Sequence, residues 1–351
     1  IPPLIEFLDS LLVGASEDLD LHTFKVTDQV SGKMMGIRAD VTLQAARIDA
    51  HSLNREGQVR LCYADNVLHT RPRGIMTSRV PIRLGAELYG HASTAADVEL
   101  ICLMFQTLRS AGIPGVQIVL GHVGIFKALV SEARLNAEAE SQLFEAVQRK
   151  AYDEIDLLLD NKVQDSALKQ QFKELIRLSG DQSVLARAQE AFAAASAAVT
   201  AELNELNDIV RGVKRRLGEL DLHFDLCELR GYEYHTGIVF AAYTNEYGRA
   251  VAKGGRYDQL GKAFGRARPA SGFDTDLKVL AQLSGKAFAR PRGILAPDSD
   301  ELLMALKVSD LRSQGEKVVT LLGTEDVANI DVDTMYCDRR LIKRGAAWIV
   351  E

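Results

Sequence analysis

A change of character in the middle of the chain constrains its fold most. From about residue 123 to 220 there is no proline, glycine is sparse, and apolar residues recur at helical spacing. On either side, short strand-like runs alternate with helical ones and are punctuated by glycine and proline. With 351 residues the chain can hold one large domain and a small one. The pattern therefore predicts an α/β (α+β) core in two parts, residues 1–125 and 221–288. A helical insertion over 126–220 separates them, and a small α/β domain over 289–351 follows.

The expected elements follow from local chemistry. Gly36 to Thr42 leads into a helix through Leu43, Ala46 and Ile48, and strands are expected over Val59–Val67 and Val80–Tyr89. Pro72, Gly74, Thr77 and Ser78 mark a loop between them. The next helix begins near Ser93 or Thr94, with Thr94 and Asp97 as a capping pair and Gly112 as its end. Val116–Leu120 reads as a buried strand, and the alanine-rich 185–219 as a helix, because alanine is the best helix former. Strands are then expected over Asp221–Ala242 and Ala250–Gly254, with a helix over Asp274–Leu283. In the tail, strands at 294–296, 317–322 and 346–350 surround a helix at 300–314.

Bulk properties narrow the function. A net charge of -6 disfavours a nucleic-acid-binding protein, which usually carries a basic face. Cys62, Cys102, Cys227 and Cys337 are far apart, which argues against a zinc site or a disulfide scaffold and fits a reducing cytosol. No apolar run reaches membrane-spanning length. The opening Ile1-Pro2-Pro3 lacks an initiator methionine, so an upstream segment is expected. The chain has no Walker lysine loop and no G-x-S-x-G elbow. His22, His51, His69, His91, His122 and His223 show no HxxxH or H-x-E pairing and read as ordinary surface or core residues. The cationic run Lys214-Arg215-Arg216 reads as a solvated helix face.

Two stretches carry ligand chemistry. Arg230-Gly231-Tyr232-Glu233-Tyr234-His235-Thr236-Gly237-Ile238-Val239-Phe240 supplies a cationic fork suited to a carboxylate and rings with polar tips. Gly254-Gly255-Arg256-Tyr257-Asp258 lets the backbone approach a ligand closely. Together they resemble the two histidine-pocket signatures of histidyl-tRNA synthetases. Pro3-Leu4-Ile5-Glu6 resembles the end of class II motif 1, whose proline lies at the dimer interface. Arg38-Ala39-Asp40-Val41-Thr42 resembles R-P-E-G-T, with Asp40 where a Glu holds the ligand's α-amino group and Thr42 kept. Arg83-Leu84-Gly85-Ala86-Glu87 resembles Q-x-G-x-E, with Glu87 as the carboxylate that accepts the imidazole N–H. Arg83 stands where the family has Gln, and a cation there opposes an α-ammonium.

The departures point away from catalysis. Class II synthetases hold ATP with one Arg from motif 2 and one from motif 3. The motif 2 pattern F-R-x-E aligns with Val67-Leu68-His69-Thr70, where Leu68 replaces the Arg. Motif 3 aligns with Gly272–Leu280, where Val279 replaces the Arg and Asp274, Asp276 and Lys278 are new charges. Arg forks are the usual means of holding phosphate, so their loss makes the nucleotide site hostile to a triphosphate. Lys278, beside the two aspartates, reads as their solvated partner.

The wording is closer still to the regulatory subunits of ATP phosphoribosyltransferase. Thr23–Lys25, Gly36–Asp40, Ala46–His51, Gly85–His91, Phe264–Pro269, Cys337–Arg339 and Trp348 all resemble that family's blocks, and the likeness covers essentially the whole chain. It implies a class II aminoacyl-tRNA synthetase-like mixed, mostly antiparallel sheet with flanking helices. It also implies a cytoplasmic regulatory subunit with no catalytic residues, cofactor or metal of its own, acting in the first step of histidine biosynthesis. Its partners would be a second copy, as a homodimer, and the short-form catalytic subunit, in a hetero-octamer, with no membrane or nucleic acid involved. L-histidine would be the effector, bound by Asp40, Thr42, Arg83, Glu87, Arg230, Tyr234, His235 and Tyr257. The alternatives are a divergent histidyl-tRNA synthetase and a synthetase paralogue that binds tRNA or another protein.

Overall fold

The computed structural model describes residues 2–15, 17–72, 78–218, 220–229, 231–232, 234–286, 290–323 and 326–351. It divides into two compact units, Ile1–Gly285 and Lys286–Glu351.

The larger unit opens with β1 (Ile5–Phe7), the short helices α1 (Leu8–Leu11) and α2 (Glu17–His22), β2 (Phe24–Thr27) and β3 (Met34–Ile37). The three strands form an antiparallel sheet in the order β1-β3-β2. Helix α3 (Thr42–Arg47) runs on through a π-helical stretch, Ile48–Leu53, to Asn54 in the left-handed region. Arg47 and Gln44 reach from α3 to the buried Glu6 on β1. Arg38 is almost wholly buried and ties Pro2 to β4 (Val59–Asn66): it donates to the Pro2 and Asn66 carbonyls and pairs with Asp65 at 2.7 Å.

Strand β5 (Ile82–Tyr89), α4 (Thr94–Ala111) and β6 (Gln117–His122) follow. After the insertion come β8 (Leu222–Asp225), β9 (Ile238–Thr244), β10 (Tyr247–Arg256), β11 (Ala270–Asp276) and α11 (Leu277–Leu283). With β7 (Ser179–Gly180) they build an eight-stranded sheet in the order β4-β5-β11-β10-β9-β6-β8-β7. Every pairing is antiparallel except β6–β8.

Four expectations need correction here. Ser93, not Thr94, caps α4, accepting from the Ala95 amide, while Gly112 ends the helix at φ 80° as expected. Asp97 is no capping partner: it is fully buried, pairs with Arg256 of β10 at 2.5 Å and accepts from the Ser271 hydroxyl of β11. Residues 274–276 are strand rather than helix. The central strand β11 is buried on both faces but carries Ala, Ser, Gly and Asp, so it shows no apolar alternation. The expected strand over 221–242 is two strands separated by a loop, because Glu228, Tyr234 and His235 between them line a cavity.

The insertion comprises α5 (Val123–Ala133), α6 (Ala137–Gln148), α7 (Tyr152–Lys162), α8 (Ser166–Arg177), α9 (Ser183–Ala191) and α10 (Ala197–Leu217). The alanine-rich segment is two helices, not one. Alanine presents no apolar stripe to hold a continuous register, and Ser196 caps α10 by accepting from the Val199 amide. Helix α8 shows why the segment folds: Leu168, Phe172, Leu175 and Ile176 lie on one buried face. Each such burial contributes roughly 1.5–3 kcal/mol.

The small unit holds β12 (Gly293–Ala296), α12 (Leu302–Ser313), β13 (Val318–Thr320), β14 (Cys337–Arg344) and β15 (Ala347–Val350), in the sheet order β13-β12-β14-β15. Strand β14 escapes sequence reading because only Cys337 and Leu341 of its eight residues reach the core, among four cationic side chains.

Candidate functional site

Strands β5, β10 and β11 place a cavity of about 240 Å³ against the face of the large sheet. Glu87 of β5 lies at its centre, in register with Gly272 of β11. A Cβ at Gly272 would overlap the Glu87 carboxylate, so glycine is required there. Glu87 is 2% exposed and accepts from the Tyr257 hydroxyl and, at 3.2 Å, from the Tyr63 hydroxyl. Burial pushes its carboxyl up to about 8, against the pull of the Tyr257 hydrogen bond in the other direction. Burial thus favours the neutral acid, and a cationic or N–H-bearing group placed against it favours the carboxylate.

Asp40 and Thr42 reach the cavity from the start of α3, where the Thr42 amide donates to Asp40 Oδ1 at 2.7 Å. Thr42 Oγ1 lies 3.4 Å from the Tyr63 hydroxyl, which links this corner to Glu87. The opposite wall comes from the β8–β9 loop. The Tyr234 ring packs against Tyr257 at 5.0 Å and edge-on to His235 at 5.1 Å. Its buried hydroxyl has no hydrogen-bond partner among the described residues. His235 Nδ1 donates to the Arg256 carbonyl, and burial draws the ring down to about 4, so it stays neutral. Helices of the insertion hold this wall from behind. Lys127 donates to the His235 carbonyl at 2.6 Å, and Glu140 accepts from the Tyr232 hydroxyl at 2.5 Å.

Six of the eight residues expected at the site therefore line one cavity: Asp40, Thr42, Glu87, Tyr234, His235 and Tyr257. Arg230 lies outside the described residues. Arg83 does not line the cavity; it is buried beside it, with Nη1 3.4 Å from Asp274 Oδ1. Sequence reading missed Tyr63 and Lys253, and did not connect Asp274 with this cavity. Tyr63 sits in register with Gly85, where a Cβ would strike its ring. An aromatic residue facing a glycine across a strand pair is the signal that could have found it.

A second hollow, of about 230 Å³, is lined by His69, Arg83, Arg249, Lys253, Asp274, Asp276 and Val279 among others. Val279 brings no charge to it. Asp276 is occupied as the cap of α11, accepting from the Lys278 amide, and Lys278 donates to the Val80 carbonyl rather than pairing with the aspartates.

A mostly antiparallel sheet carrying an acid-centred, tyrosine-walled cavity beside a second hollow defines a protein of histidyl-tRNA-synthetase type. Residues 1–280 match the family described as histidyl-tRNA synthetase, and 291–351 match the ATP phosphoribosyltransferase subunit HisZ C-terminal domain. An ATP phosphoribosyltransferase regulatory subunit from Ectopseudomonas mendocina is 51% identical over 351 residues, covering 100% of this chain and 88% of the relative. One from Azotobacter vinelandii is 50% identical with the same coverage. Among solved structures, a Bacillus halodurans protein described as an ATP phosphoribosyltransferase regulatory subunit/histidyl-tRNA synthetase superposes with a TM-score of 0.80 at 27% identity, covering 95% of this chain and 86% of that one. Histidyl-tRNA synthetase from Nostoc sp. PCC 7120 shares the fold, with a TM-score of 0.76 at 17% identity over 97% of this chain and 82% of that one. The chain belongs to the family of ATP phosphoribosyltransferase regulatory subunits.

Proposed function

We propose that the chain is the non-catalytic regulatory subunit of an ATP phosphoribosyltransferase, activating a short-form catalytic subunit in the cytoplasm and carrying feedback inhibition by L-histidine. The observation that carries the assignment is half identity to regulatory subunits across the full chain. The cavity supports the effector. Its volume falls below the roughly 300–1,000 Å³ of sites for drug-sized ligands, which suits a single amino acid. Asp40 and Glu87 offer carboxylates to an α-ammonium and an imidazole, and the family resemblance assigns the α-carboxylate to Arg230. Leu68 and Val279 at the positions of the phosphate-binding arginines fit a chain that does not activate amino acids.

Feedback then requires that histidine bind one state of the assembly more tightly than another, since differential affinity is all a ligand can use. The test is reconstitution. Added to the catalytic subunit, the chain raises the rate of ATP condensation with phosphoribosyl pyrophosphate, and histidine lowers it again; Glu87→Ala abolishes the histidine effect. Histidine-dependent ATP–pyrophosphate exchange by the purified chain would instead make it a synthetase.

A further inference from the structure

The two cavities lie side by side and share two lining residues, Lys253 and Asp274, which are register partners across β10 and β11. Arg83, on β5, reaches Asp274 from the side of the second hollow. Both members of this pair are buried, Arg83 9% and Asp274 8% exposed. Arg83 Nε has no hydrogen-bond partner among the described residues, so the guanidinium is held mainly by carboxylates. Burial opposes the charge on Arg83, but Asp274, with Asp40 and Asp276, more than offsets it and holds the guanidinium above its ordinary value. Both positions depart from the synthetase segments Q-x-G-x-E and G-F-A-x-G, which have neutral residues there. The two exchanges bring opposite charges within ion-pair range of each other.

An enzyme that joins an amino acid to a nucleotide needs open space between the α-carboxylate and the phosphate. Here a buried ion pair and a lysine occupy the boundary. A ligand extended through its carboxylate would have to displace Asp274 or Arg83 and leave the other as an uncompensated buried charge. We propose that the Arg83–Asp274 pair, backed by Lys253, is a partition that restricts the first cavity to a free amino acid and excludes ligands extended through the carboxylate. The pair also reconciles Arg83 with an ammonium-bearing ligand. Asp274 lines the first cavity, whereas Arg83 lines only the second. The inference rests on the histidine reading of the cavity and adds a specificity that loss of the phosphate-binding arginines does not by itself impose.

The experiment is calorimetric titration of the full-length chain with L-histidine and with histidyl-sulfamoyl adenosine, a stable mimic of the aminoacyl adenylate. The wild-type chain binds histidine and takes the adenosine conjugate at least 100-fold more weakly. In Arg83→Gln/Asp274→Ala that ratio narrows at least tenfold. Asp274→Asn, nearly isosteric, serves if the double variant does not fold, and narrows the ratio in the same direction. Equal affinity of the wild type for both ligands, or a ratio that neither variant changes while histidine still binds, overturns the partition. No histidine binding by the wild type overturns the histidine reading and the partition with it.

Discussion

Glu87 shows what a single buried group does to the pH response of the molecule. Its carboxyl is raised to about 8 in the folded chain, while the unfolded chain ionises near the ordinary value of 4.5. Between those values the folded state binds the extra proton, so stability falls as pH rises. His235 has the opposite sign: its ring is lowered to about 4 from 6.5, so stability is lost as pH falls through that window. Above 6.5 the His235 contribution is level and the downward slope from Glu87 remains. Glu87→Gln therefore removes a decline in melting temperature between pH 6.5 and 8.5, worth on the order of a few kcal/mol. Thermal melts of wild type and variant across that range check it; parallel curves would mean that Glu87 is already ionised at the lower end of that range.

Element by element, the cavity depends on long-range polar ties that leave little trace in sequence. Helix α4 is fastened to β10 and β11 by Asp97, which meets both Arg256 and Ser271 out of water. Asp97→Ala leaves Arg256 only Asp258 at 3.4 Å and the Ser93 carbonyl, and is expected to cost about 3 kcal/mol in urea denaturation, the low end for breaking a buried pair. An asparagine at the same position recovers part of that loss through its hydrogen bonds. Periodicity located α4 and its glycine end because its buried stripe is apolar. It could not show that Asp97 points inward, since a carboxylate in a first helical turn ordinarily faces solvent near the helix N-terminus. The same limit hid β11. Its Gly272 and Asp274 are set by the carboxylate and the guanidinium facing them rather than by a core. What was legible was that Tyr234, His235 and Tyr257 meet at one cavity, because adjacent rings and glycines in such runs mark a place where backbone and side chains converge. Tyr63 and Lys253 act across strand pairs, and no spacing along the chain connects them to the rest.

At the scale of the whole molecule, the N-terminal sheet leaves an apolar face exposed. Ile5 and Phe7 are each 45% exposed and Val26 40%, and the register with Met35 and Ile37 puts them on one face, while Glu6 turns to the other. Apolar surface left open on a small sheet marks an association site, and dimerisation through it is expected. Phe7→Asp/Val26→Asp should shift the chain from dimer to monomer in sedimentation velocity at micromolar concentration, with its circular dichroism unchanged. A dimer that survives both charges would place the contact elsewhere.

The pairing of β5 with β11 joins residues 82–89 to 270–276, so the cavity around Glu87 closes only across almost the full length of the large unit. The insertion between them is built from neighbouring helices and can form from local contacts. During synthesis its helices can therefore assemble on the emerging chain while the cavity still lacks its floor. A polypeptide released before Asp276 would have the helices but not the cavity, so the cavity forms only once translation has passed that codon.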